Sequence, residues 1–179
     1  MRVLLGISRV IDALNERVGQ LVVWLVLLVT LLSAANALMR YIFHYSSNAY
    51  LEAQWYLFSL IFLWGAGWTL KHGGHVRVDV LYARLSHKAQ LWIDFLGTLV
   101  FLLPMVALIL WLSWPIVTES VHIREMSPDA GGLPRWPIKV AMVIGFVLLG
   151  LQGISELIKR GLALAGKLQL EEEKPEEVV

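Results

Sequence analysis

Three stretches of this chain run on without a charge: Val18 to Met39 for 22 residues, Ala53 to Leu70 for 18, and Phe95 to Thr118 for 24. A fourth, Val140 to Ser155, has 16, and it lengthens if Lys139 and Glu156 sit at lipid headgroups. A helix rises 1.5 Å per residue, so about 20 apolar residues cross roughly 30 Å of hydrocarbon. The sequence therefore reads as an all-α membrane protein with four transmembrane helices, at about 18–39, 50–70, 92–118 and 137–158. Composition agrees, with 58% hydrophobic and only 16% charged residues. Soluble domains have about half and a quarter.

Orientation follows from the basic residues. The N-terminal stretch carries three Lys or Arg, the loop between the second and third runs four, and the C-terminal tail four, against one and three in the other two loops. The positive-inside rule then predicts that both termini are cytoplasmic. Six of the eight tryptophans lie within about two turns of a span end, where the indole N–H reaches headgroups while the ring stays in lipid. The first run is too long for a signal-peptide core and lacks a small-residue cleavage site, so the first helix is expected to remain as an anchor.

Two further segments look amphipathic. In residues 1–17, Val3, Leu4, Ile7, Val10, Ile11 and Leu14 follow helical spacing, with Arg9, Asp12, Glu16 and Arg17 on other faces. Between the second and third spans, Val78, Leu81, Tyr82, Leu85 and Ala89 do the same beside Arg77, Arg84 and Lys88. Both are expected to lie along the membrane surface, with basic side chains toward anionic lipid. The alternative is that they extend the transmembrane helices into the cytosol. The four-helix domain is expected over 18–160. The tail, 161–179, ends in the acidic "EEEKPEEVV", a composition expected to be disordered.

The candidate sites are structural. All five histidines fall in loops or at span ends, which argues against axial haem ligands within a helix bundle. Zero cysteines exclude disulfides and thiolate metal sites. In "KHGGHVRVD", the pair Gly73–Gly74 suits a sharp turn at a helix end better than a metal site, with His75, Arg77 and Asp79 opening the surface helix. Membrane interiors retain charges mainly where they are used. Here Glu52, Asp94 and Glu156 all sit at span ends, and the mid-span polar residues are Asn36, Ser59 and Gln152, suited to helix–helix hydrogen bonds. Ala141 and Gly145 form a small-xxx-small pair for close helix approach. Glu52 with Trp55 opens the second span. Pro104 is expected to bend the third helix, and Pro137 to occupy the first turn of the fourth. No catalytic residue, cofactor, metal site or nucleic-acid-binding tract is expected.

Together, "LEAQWYLFSLIFLWGAGWTLKHGGHVRVDVL" and "SPDAGGLPRWPIKVAMVIGFVLLGLQGISELI" resemble the small four-helix membrane subunit, the DctQ type, of tripartite ATP-independent periplasmic (TRAP) transporters. The resemblance spans roughly residues 10 to 160 and is most specific in "GHVRVD" and in Glu52 with Trp55. It implies a bacterial inner-membrane scaffold that supports a large DctM-type permease subunit, with a periplasmic DctP-type binding protein delivering an organic acid in a sodium-coupled cycle. "GGLPRWPIK" is similar to a subgroup labelled for mannitol or chloroaromatic compounds, with 2-oxo acids a further option. Asn36, Glu52, Trp55, His75, Arg77, Asp79, Ala141 and Gly145 are then candidates for structural or partner contacts. Two other readings stay open: a membrane anchor for a redox enzyme, and a stand-alone four-helix exporter.

Overall fold

The computed structural model describes residues 2–74, 82 and 85–168. Four long helices make up the described residues: α1 (Arg2–Ile42), α2 (Asn48–Lys71), α3 (His87–His122) and α4 (Trp136–Leu164). The strand content is nil among them apart from one isolated bridge, Met126 with Pro134. Helices α1, α3 and α4 are each long and apolar enough to cross a membrane. The fourth expected span, α2, has 24 residues and carries its hydrophobicity in Trp, Tyr, Phe and small residues as much as in aliphatic ones.

The N-terminal amphipathic stretch is helical, and it runs into the first apolar run without a break. Nothing between Arg2 and Ile42 stops a helix: there is no proline, and Gly19 is buried against α2. At 41 residues, α1 is about 60 Å long. Its inward stripe is Ser8, Ile11, Asn15, Gly19 and Val22, spaced three and four apart. The second amphipathic segment lies largely outside the described residues, as do His75, Arg77, Asp79 and the acidic tail. Ala89 belongs to the first turn of α3, whose N-cap is Ser86.

The helix ends follow local chemistry. Gly73 adopts φ 63°, and the amides of Gly73 and Gly74 close onto the carbonyls of Leu70 and Thr69, ending α2 as the glycine pair suggests. α3 contains a π-helical turn, Thr98–Leu102, directly before Pro104. Proline has no N–H for the carbonyl four residues back and its ring crowds that carbonyl, so a locally widened turn accommodates it. Pro137 lies in the first turn of α4.

Packing is organised around α4. α1 and α2 pack on one another and both on α4, and α3 packs principally on α4 from the other side. The result is a mutually packed trio, α1, α2 and α4, to which α3 is joined through α4. Small residues set the spacing: a Cβ at Gly145 would come within 2.9 Å of the Leu63 carbonyl oxygen, and one at Gly153 within 2.6 Å of Leu102 Cδ2. Added side chains at Gly19 and Gly67 would overlap the Trp68 indole and the Asn15 amide. Close backbone approach is what small residues supply in an apolar medium.

Candidate functional site

Two polar clusters lie at opposite ends of α4. The first sits where the start of α1 meets the end of α4. Asn15 and Gln152 are both fully buried, and Asn15 Nδ2 donates to Gln152 Oε1 at 3.0 Å. Gln152 Nε2 donates in turn to Asp12 Oδ1 at 2.9 Å and to Glu156 Oε1 at 3.3 Å. Ser155 donates its proton to Asp12 Oδ1 at 2.7 Å, so the Ser8 hydroxyl, 2.7 Å from it, is the donor in their mutual bond. Lys159 bridges Glu156 at 2.5 Å and Asp12 at 3.3 Å.

This cluster continues to the neighbouring helices. Arg160 pairs with Asp94 of α3, which also accepts from the Tyr82 hydroxyl at 2.7 Å. On the α2 side, Glu16 accepts from Lys71 at 2.5 Å and from the Trp68 indole N–H at 3.3 Å, with His72 3.5 Å away. Residues from all four helices therefore meet at one end. Every carboxylate there faces a cation, which is the condition for tolerating buried charge. Two atoms there are buried without a hydrogen-bond partner: Asn15 Oδ1, which rests against Gly67, and Arg160 Nε, which lies 3.4 Å from Glu156 Oε2.

The second cluster pins the connection between α3 and α4. Glu52, buried at the start of α2, accepts from the Ser127 hydroxyl and the Leu133 amide, each at 2.5 Å, and from Arg135 at 3.0 Å. Arg135 lies over the Trp55 ring, 4.8 Å from its centroid, a cation–π arrangement. The Tyr56 hydroxyl donates to the Pro134 carbonyl at 2.8 Å, and Asn48 to that of Ala130 at 3.0 Å. Within the loop, Ser127 N bonds Leu133 O at 3.1 Å and Arg135 N bonds Glu125 O at 2.8 Å. Glu125 pairs with Lys139 and accepts from Ser120 at 2.6 Å. The Lys139 ammonium and then the Ser120 hydroxyl hold its carboxyl below the usual range.

The candidates named from sequence fall into three groups. Glu52 and Trp55 come together with Arg135 at the second cluster. Ala141 and Gly145 are buried on the face of α4 toward α2, where the Trp64 indole donates to the Ala141 carbonyl at 2.9 Å. Asn36 is separate from both clusters, and its Oδ1 is buried without a partner. Residues not singled out as candidates supply most of the first cluster, namely Ser8, Asp12, Asn15, Ser155 and Lys159.

Pockets between the helices are apolar. One groove of about 340 Å³ lies between α2 and α4, lined by Tyr56, Leu60, Trp64, Trp136 and Ala141 among others. Another lies between α3 and α4 along Trp114, Val117, Val121, Val140 and Val143. Small-molecule sites place a few convergent polar groups in such a concavity. The carboxylates and amides of both clusters are instead engaged with one another.

The class this geometry defines is an all-helical membrane protein whose polar side chains hold its own helices together. Residues 29–161 match the family of tripartite ATP-independent periplasmic transporters, DctQ component, and the chain belongs to that family. It is thus a component of a transporter and not an enzyme, a multi-pass protein of the inner membrane. Membership implies TRAP partners, the large DctM-type subunit and the binding protein. No curated protein and no solved structure matches it.

Proposed function

We propose that this protein is the small scaffold subunit of a sodium-coupled, binding-protein-dependent secondary transporter that imports an organic acid, a carboxylate such as a 2-oxo acid. It spans the membrane four times, α2 included, with both termini in the cytoplasm. The observation that carries the scaffold reading is the uncovered apolar surface of α1 and α3. Trp24 is 68% exposed, Leu31 59%, Phe101 75% and Trp111 72%, on helices that pack inward through narrow stripes. Wide apolar flanks on α1 and α3 suit a subunit that broadens a larger membrane protein.

Topology has separate support. The first cluster gathers the start of α1, the end of α2, the start of α3 and the end of α4, the side to which 11 of the 15 Lys and Arg belong. The substrate class and the sodium coupling rest on resemblance to the family. The test is uptake in proteoliposomes. The complex with the large subunit is expected to accumulate a 2-oxo acid only with binding protein present and an inward sodium gradient. Uptake by this chain alone, or uptake indifferent to sodium, contradicts the reading.

A further inference from the structure

The first four turns of α1 carry two different stripes. The one against α4 is small and polar, with Ser8 and Asn15 buried beside Ile11. The one turned outward is apolar, with Val3 74% and Val10 70% exposed, and Ile7 and Leu14 exposed with them. Next to it stand Arg2, Arg9 and Arg17, all exposed and none in an ion pair among the described residues. At 3.6 residues per turn the three arginines fall within about 80° of the helix circumference.

This face extends past the end of α2. Glu16 is level with Lys71, the last residue of α2, so residues 2–15 run on beside α4, about 21 Å further. A headgroup layer accommodates an apolar helix face to about 5–10 Å, and α1 does not break to lie flat in it. α4 runs antiparallel to α1, since Ser8 meets Ser155 whereas Asn15, further along α1, meets Gln152 and the Leu148 carbonyl. It ends at Gly166, φ 67°, where the Lys167 amide closes on the Leu162 carbonyl at 3.0 Å. The chain therefore leaves α4 beside the start of α1. Its last residues, 169–179, read "QLEEEKPEEVV", with five glutamates, one lysine and the apolar Leu170, Val178 and Val179.

We infer that this acidic segment is the partner of the arginine-bearing face of α1. Its glutamates meet Arg2, Arg9 and Arg17, and its apolar residues cover part of the stripe from Val3 to Leu14. The reach suffices: eleven residues span up to about 36 Å extended, against about 23 Å from Arg2 to Arg17. A tether this short also keeps the segment at roughly millimolar effective concentration. Bound there, it shields a basic surface that anionic lipid or another acidic protein segment would otherwise occupy.

The chain has no cysteine, so a single engineered pair reports the contact. Val10→Cys with Glu173→Cys is placed in the full chain, in nanodiscs of zwitterionic lipid, and intramolecular disulfide formation is timed. It is expected to be about fivefold faster than in the same chain carrying Arg9→Glu and Arg17→Glu, the scale of a few exposed ion pairs acting together. It should also slow at roughly 0.5 M salt and persist when phosphatidylglycerol is included. Equal rates with and without the arginines overturn the inference. So does loss of the cross-link in phosphatidylglycerol, which assigns the face to lipid, or disulfides found only between two chains, which assigns it to a second copy.

Discussion

The two ends of α4 solve different problems with similar residues. At the end shared with α1, buried amides, hydroxyls and ion pairs join helices that are far apart in sequence, as in Asn15 with Gln152, 137 positions away. At the other end, one buried carboxylate, Glu52, gathers a loop: Ser127, the Leu133 amide and Arg135 all converge on it. The first is a lock between helices, and the second a clasp on a connection. Breaking the lock should loosen the helix packing as a whole. Breaking the clasp should free the loop and leave that packing standing.

The largest effect is expected from neither cluster but from the spacing both depend on. Gly145→Leu drives a side chain into the backbone of Leu63, which cannot rotate away, and should cost about 3 kcal/mol by overpacking, read as a loss of thermal stability in detergent. Next comes Gln152→Ala. It strips a partner from Asn15, Asp12 and Glu156 at once and should cost about 2 kcal/mol, since buried groups left unpaired lose more than the bond itself. If it cost no more than an exposed substitution, the lock would be ornamental.

The clasp is probed by Glu52→Gln. Hydrogen exchange at the Leu133 amide should accelerate, while Tm moves less than in Gln152→Ala. A Tm loss equal to that of Gln152→Ala would erase the distinction between the two ends. Acid should act on the same loop. Because the Glu125 pKa is lowered, its contribution is complete above the unfolded value of about 4.3 and fades as pH falls through the folded one. Protease nicking between residues 126 and 134 should rise in that window, and Lys139→Met should flatten the dependence. The smallest effect is a gain: Arg124 ends α3 with φ 49°, and Arg124→Gly should add about 0.5 kcal/mol by relieving a left-handed conformation.

Uncharged runs made the helices legible, because length and apolarity alone decide what can cross a bilayer. The glycine turn at Gly73 was legible for a similarly local reason. The change in composition at residue 17 is no helix stop, and α1 continues through it. The lock was legible only in part, through Gln152. In residues 1–17 the apolar positions Val3, Leu4, Ile7, Val10, Ile11 and Leu14 point to a membrane-surface face, whereas the packed stripe is Ser8, Ile11, Asn15 and Gly19, sharing only Ile11 with it. In an apolar medium, small and polar residues mark the helix contact as well as large apolar ones do. A signal was available in Ser8, Asp12, Asn15 and Gly19 at helical spacing, matched by Gln152, Ser155 and Lys159 on α4. The clasp needed the fold, since Glu52 meets residues 75 to 83 positions away.

Above all, the exposed flanks of α1 and α3 should belong against another membrane protein. Co-expression with a DctM-type large subunit, purification through a tag on this chain, and determination of mass and stoichiometry would decide it. A stable one-to-one complex, weakened when Phe101 and Trp111 or Trp24 and Leu31 are replaced by lysine, is the predicted result. A chain that purifies alone, monodisperse and indifferent to those replacements, would contradict it.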